Sequence, residues 1–242
     1  MSLTAGVPKW WMNTTSAGKK HAATQATVQS GLVLNLDAGV SDSYGGSGTT
    51  WTDLSSSGNN GTLTNMDGSN LNSSNGGYFT FDGSNEFVSL SALSALTNFS
   101  IESWFRPTSY PNNYSCIITD TYASGDVNFK LGYEGGSDMV GGFYNGTWRK
   151  GTSVSTTLNT WNYIVFTYDK TSMKTYSNGV LQGSVSETSN PDSGGSSVRM
   201  GRRWDMSEYF PGHISVCRLY NKALTADEVQ QNFDVYRERF GI

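Results

Sequence analysis

Charge is scarce in this sequence. Lys, Arg, Asp and Glu make up only 15% of its 242 residues, and the net charge at pH 7 is −4. Nothing here gives a broad electrostatic reason to bind nucleic acid, whose phosphates call for a basic surface. Cysteine is limited to Cys116 and Cys217, and histidine to His21 and His213. They are too few and too scattered for a structural zinc site, and no CxxC pair exists. No run of about 18 apolar residues occurs, which argues against a membrane-inserted helix. Glycine, at 28 residues, has no three-residue period, so the chain is not collagen-like. The Ala, Glu, Lys and Leu enrichment of helical bundles and coiled coils is also missing. Residues 1–31 lack the apolar core of about 7–15 residues that a secretory signal needs. The expectation is therefore a chain without a secretory route, with both cysteines reduced and buried. The sequons at Asn60, Asn113 and Asn145 then carry no glycan meaning.

What is abundant points to β-structure. Ser, Thr, Asn and Gly supply 107 residues, and aromatics reach 13%. Small polar turn formers mixed with β-branched and aromatic residues suit a large antiparallel β protein. Residues 1–30 differ from the rest. They show neither strand alternation nor a helical face, and Trp10 and Trp11 form an apolar pair among polar neighbours. Two readings are open: a tail folded back on the domain, or an extended arm docking on another subunit with these tryptophans as anchors.

From residue 31 onward, strand signals recur every 10–15 residues. LVLNLDA places Leu32, Leu34 and Leu36 on one face. GYFTFDG and EFVSL read as a hairpin joined by Asp82-Gly83-Ser84-Asn85. FSIESWFRP carries Ile101, Trp104 and Phe105 and ends at Pro107. HISVCRLY is the last strand. Some dozen short strands without a 20–50-residue repeat indicate a two-sheet sandwich and not a propeller or solenoid. One helix is expected over 225–240, with Thr225 as N-cap and Glu228 completing a capping box. Val229, Phe233 and Tyr236 form its apolar face, placed on the edge or rim of the sandwich.

The string FPGHISVCRLYNKALTADEVQQNF resembles the closing signature of the laminin-G-like, concanavalin A-like jelly-roll superfamily. Gly212, Ile214, Arg218, Tyr220, Asn221, Leu224, Thr225, Glu228 and Val229 fit it. Three further strings agree in order: the Trp161–Ser184 strand pair with its Tyr-x-Asn-Gly turn, FTFDGSNEFVSL, and NFSIESWFRP with its Trp carried into the core. Where many relatives have an acid after the Ile of the last strand, this chain reads Ile214-Ser215-Val216-Cys217. The opening LNLDAGVSDSYGGSGTTWTDLSSSG is similar to bacteriophage virion versions of the domain. The resemblance implies an all-β, two-sheet antiparallel jelly-roll sandwich over 31–242, behind an N-terminal arm of 1–30. It further implies a multi-copy virion protein assembled in the host cytoplasm, whose arm docks on other capsid or tail proteins and whose sandwich is presented to host-surface glycans.

Chemistry-bearing motifs are sparse. Glycoside hydrolases of this fold carry paired carboxylates on one strand. Here Glu102 stands alone in FSIESWF, and Glu86, Glu134 and Glu187 sit singly near turns, so no enzyme is expected. His213 lacks a nucleophile elbow and reads as a surface or edge residue. Asp53, Asn59 and Asn60 in WTDLSSSGNNG are either calcium ligands or acceptors for the loop's own backbone. Candidates for stacking on sugar rings are Tyr110, Tyr114, Tyr144, Trp148, Trp204 and Tyr209. Arg149-Lys150 and Arg202-Arg203 read as solvated strand ends.

Overall fold

The computed structural model describes residues 26–110, 114–122, 128–192, 195–203, 205 and 207–242. The first sixteen strands along the chain are β1 (Leu32–Asp37), β2 (Thr50–Trp51), β3 (Gly61–Thr64), β4 (Leu71–Asn72), β5 (Tyr78–Asp82), β6 (Phe87–Ser91), β7 (Phe99–Pro107), β8 (Cys116–Tyr122), β9 (Phe129–Tyr133), β10 (Asp138–Tyr144), β11 (Trp148–Lys150), β12 (Val154–Ser155), β13 (Asn162–Tyr168), β14 (Ser172–Ser177), β15 (Val180–Ser186) and β16 (Gly195–Met200). The chain ends with β17 (Pro211–Tyr220) and α1 (Ala226–Phe240).

They form two antiparallel sheets. One runs β15-β14-β13-β7-β17-β5-β4, with β1 also pairing with β17. The other runs β11-β10-β9-β8-β16-β6-β3-β2, with β12 on β10. Between them lies the main core, which includes Leu34, Leu36, Phe79, Phe99, Phe166, Leu131, Phe143 and Met200. Cys116 and Cys217 are both free and buried, as expected. Asn178 and Gly179, with φ of 49° and 82°, make the β14–β15 turn, a conformation matched to the right-handed twist of the strands.

Four expectations need correction. First, Asp82 to Asn85 do not close a hairpin. β5 pairs in the first sheet and β6 in the second, so this turn crosses the sandwich. One Asp82 carboxylate oxygen accepts the N–H groups of Ser84, Asn85 and Glu86, which fixes the crossing turn without ladder bonds. Second, a register shift between Leu32 and Leu34 rotates Leu32 away from the core that Leu34 and Leu36 fill.

Third, α1 does not sit on the rim. It lies on the outer face of the β15–β4 sheet and creates a second apolar layer there. Fourth, and for the same reason, Trp104 does not enter the core between the sheets. Its ring stacks on Tyr163, Phe233 and Phe240 at centroid distances of 4.8, 5.7 and 4.4 Å. α1 begins at an N-cap Thr225 with a full capping box and ends at Gly241 in the left-handed region, so both ends are satisfied.

Beneath the helix, polar groups are as buried as the aromatics. Arg218 and Glu102 have no exposed side-chain surface and meet at 2.8 Å. Arg218 also donates to Asn35 Oδ1 and to the Tyr236 hydroxyl. Glu102 accepts from Tyr163 and Asn232 as well. Burial, then the Glu102 charge, pushes the Tyr163 hydroxyl well up, so it stays a neutral donor. A second pair, Arg239–Asp37 at 2.8 Å, joins the first because Tyr236 donates to Asp37. Arg239 further binds the carbonyls of Asn75 and Gly77. Every charge here is answered, which is the condition for tolerating it in an apolar layer.

Residues 26–30, the end of the stretch expected as an arm, lie against this layer. Val28 is buried, its N–H donates to Asn232 Oδ1, and its carbonyl accepts from the Tyr220 hydroxyl. Trp10 and Trp11 lie outside the described residues.

Candidate ligand-binding face

The sandwich has two outer faces, and α1 covers one of them. On the other, strand alternation turns Lys130 of β9, Gly142 of β10 and Arg199 of β16 outward, while Leu131, Phe143 and Met200 face the core. At one end of this face, the β10–β11 hairpin brings Trp148 opposite Tyr144. A Cβ on Gly142 would run into the Arg149 carbonyl and come within 2.9 Å of the Trp148 ring. Only glycine therefore lets the indole lie this close to the sheet.

Glu134 organises the neighbourhood. Its carboxylate accepts the Trp148 indole N–H at 2.9 Å and the ammonium groups of Lys130 and Lys150 at 3.1 and 3.0 Å. Partial burial alone would raise this carboxyl. The Lys130 charge and the lysine hydrogen bonds outweigh it and hold the group below its usual range. Lys130 Nζ lies 4.7 Å from the Trp148 ring centroid and 5.6 Å from that of Tyr114. The far side of Tyr114 continues to Arg203, whose guanidinium is 5.1 Å from the ring. Arg203 pairs with Asp205 and Glu208, and Glu208 also accepts the Tyr114 N–H. Tyr114 is 43% exposed, the only aromatic among the described residues that is this open. Next along lie Arg202, Phe87 and Tyr209, with the Arg202 guanidinium 4.1 Å from the Phe87 centroid and 5.9 Å from that of Tyr209.

The face therefore unites four of the six aromatic candidates: Trp148, its cross-strand partner Tyr144, Tyr114 and Tyr209. Tyr110 turns inward, packing on Tyr133 and donating its hydroxyl to the Thr156 carbonyl. Tyr144 stands half-buried at the end of β10, on the same face as its cross-strand partner Trp148, and its carbonyl accepts the Asp192 N–H. Trp204 lies outside the described residues. Arg202 is a correction: at 5% exposure it is buried, not a solvated strand end, because Phe87 and Tyr209 cover it.

In the other candidate loop, Asp53 is buried and its oxygens accept the N–H groups of Asn35, Ser55 and Asn59 and the Ser55 hydroxyl. Asn60 Oδ1 accepts the Asp53 N–H, and Asn59 donates to the Val33 carbonyl. These side chains hydrogen-bond the loop's own backbone. No cluster of three or more His, Cys, Asp or Glu suited to a metal occurs among the described residues. His213 is half-buried against Tyr78 and bonded to Thr80, and burial, with Arg106 adding to it, pulls its pKa down to about 4.

Of Lys130, Glu134, Lys150 and Glu208, only two stand out in the sequence: Glu134 as an isolated carboxylate near a turn, and Lys150 as part of a strand end expected to be solvated. The four lie up to 78 positions apart and meet only through the strand order β11-β10-β9-β8-β16. The single legible signal was the outward lysine in NFKLGYE, a charge interrupting an apolar strand.

A family model described as the concanavalin A-like lectin/glucanases superfamily matches residues 76–230. Solved structures with the same fold include the botulinum neurotoxin serotype G binding domain, at TM-score 0.66 and 18% identity over 84% of this chain and 51% of that one. Domain 4 of a GH43 extracellular arabinanase from Geobacillus stearothermophilus, in complex with arabinotriose, matches at TM-score 0.66 and 18% identity, over 86% of this chain and 100% of that one. A botulinum neurotoxin type C structure concerned with interaction with two ganglioside molecules matches at TM-score 0.64 and 16% identity, over 84% and 51%. The chain thus spans about half the length of the neurotoxin domains it matches. At these identities the likeness speaks for the fold alone. No curated protein matches the sequence.

Proposed function

Because the chain belongs to the concanavalin A-like lectin/glucanases superfamily, we propose that it is a non-enzymatic, glycan-binding adhesion module that uses the sandwich face α1 leaves open. The observation that carries this reading is the strip of Trp148, Lys130, Tyr114 and Arg203 on that face, with Tyr114 exposed. Aromatic rings offer apolar surface to the C–H faces of sugars, while Lys130, Glu134 and Lys150 supply donors and acceptors for hydroxyls. The arabinotriose complex of one structural neighbour and the ganglioside interaction of another support a sugar ligand. The carboxylates Glu102 and Asp37 are both locked to arginines and buried, which favours binding over acid–base chemistry.

The setting proposed is a bacteriophage particle, with the module on the capsid or tail in many copies and the part of the expected arm that precedes residue 26 docking on other virion proteins. Weak single contacts then gain strength through copy number. A glycan array read with the native protein, Trp148→Ala and Tyr114→Ala tests the first part. Specific spots should appear with the native protein and fade with both variants while the fold is retained. An array without any specific spot, or one unchanged by the variants, removes the reading. For the second part, loss of residues 1–25 should abolish incorporation into particles, and retained incorporation would remove the docking idea.

A second reading, a structural cement between virion subunits, is favoured by the edge strand β15. It exposes Val180, Leu181 and Val185 at 62, 49 and 38% and carries no charged residue. Such an unprotected edge readily pairs with another chain. Crosslinking from β15 to a neighbouring subunit in the particle, with no glycan on the array, would select this reading.

A further inference from the structure

Buried bases elsewhere in this fold are answered by acids. Arg218 meets Glu102, Arg239 meets Asp37, and Lys130 meets Glu134. Arg202 breaks the pattern. It is 5% exposed, yet has no ion-pair partner among the described residues, and its Nε has no hydrogen-bond acceptor. The two acids that follow it in the chain, Asp205 and Glu208, pair with Arg203. Aromatic faces of Phe87 and Tyr209 are what Arg202 has instead.

Arg199 compounds the anomaly. It stands in β16 opposite Ser89 of β6 and Thr119 of β8, on the same outward face as Phe87. Among the described residues its side chain's one hydrogen bond goes to the Val198 carbonyl, and it too lacks an ion pair there. Burial first, and then the Arg202 charge, pulls its pKa down, so the two guanidinium groups lie in each other's field. Two unanswered cations, one of them desolvated, disfavour the empty face. An oxyanion placed between them would remove both penalties, since guanidinium groups grip planar oxyanions through paired N–H donors. The surroundings agree: Arg199, Arg202, Arg203, Lys130 and Lys150 outnumber Glu134, Asp205 and Glu208 on a chain whose net charge is −4.

We propose that Arg199 and Arg202 form an anion subsite beside the aromatic strip, taking the carboxylate or sulfate ester of an acidic sugar. This deepens the glycan reading and rests on it for the sugar, though not for the anion. Two measurements separate the parts. The first follows the Arg202 Nε–Hε resonance by NMR during titration with sodium sulfate at constant ionic strength; it should shift and saturate. The second compares 3′-sialyllactose and 3′-sulfolactose with lactose by calorimetry. At least one acidic sugar should bind about tenfold more tightly than lactose, the size of one charge-assisted contact. Arg202→Gln should erase that preference and leave lactose binding unchanged. Arg199→Gln, at a partly buried strand position, should do the same. An unmoved Arg202 resonance, or an acidic preference that survives both variants, overturns the subsite. Saturable sulfate shifts with no sugar bound keep the anion subsite and remove its sugar assignment together with the glycan reading.

Discussion

Replacing Glu102 with leucine should unseat the helix-covered layer more than any surface change. The carboxylate sits in β7 with no exposed surface and accepts from Arg218 at 2.8 Å, Tyr163 at 2.7 Å and Asn232 at 2.9 Å. Leucine leaves Arg218 charged and buried, still bonded to Asn35 and Tyr236 but without a counter-ion, and orphans two further donors. Removing one partner of a buried pair costs about 3–5 kcal/mol. For a domain of this size each kcal/mol moves Tm by about 2–4 °C, so Glu102→Leu should melt about 6–20 °C lower. The double variant Glu102→Leu, Arg218→Met removes both charges and should recover most of that loss, because the penalty is the lone charge. Denaturant melts of the native protein, both single variants and the double variant give the coupling directly. A single-variant cost under about 1 kcal/mol, or a double variant as unstable as the sum of the singles, would refute the reasoning.

Three further outcomes are expected. His213 has its pKa lowered to about 4, so the unfolded state takes up its proton first as pH falls. Stability present above about 6.5 should be lost between 6.5 and 4, and a pH series of Tm values should be flatter for His213→Gln than for the native protein. Burial pushes the Cys116 thiol up to about 11 and the Cys217 thiol higher still. Iodoacetamide at pH 7.5 should therefore leave the native protein unlabelled and modify two thiols after denaturation; labelling of the folded protein would contradict this. Finally, a chain starting at residue 31 should be less stable than one starting at residue 26 by about 2 kcal/mol, from the buried Val28 and its backbone bonds to α1 and β17. Equal denaturation midpoints would contradict the contact.

The parts of this fold that could be read from the sequence are those set by neighbouring residues. The capping box at Thr225 and Glu228, the Asn178-Gly179 turn and the alternation of β1 and β7 all act within a few positions. Trp104 was placed on the wrong side because both faces of β7 are buried, and alternation says that a face is covered without saying by what. The Asp82 turn has hairpin chemistry, yet its two strands choose different partners, which no local signal encodes. Glu102 looked solitary because its counter-ion, Arg218, is 116 positions away and becomes its cross-strand partner only through β7–β17 pairing. The candidate face follows the same rule. Trp148 and Tyr114 were visible as exposed aromatic types, whereas Lys130 between them is a product of sheet order. Arg202 was misjudged because arginine after a strand is ordinarily solvated, and here two aromatic rings close over it.

Chemical-shift mapping with the strongest glycan from the array would decide the matter most directly. The predicted result is a contiguous set of shifts at Tyr114, Lys130 and the Trp148 indole N–H, with Val229, Phe233 and Tyr236 under the helix unmoved. Shifts gathered on α1, on β15 or at the loop of Asp53 would contradict the assignment of function to the open face.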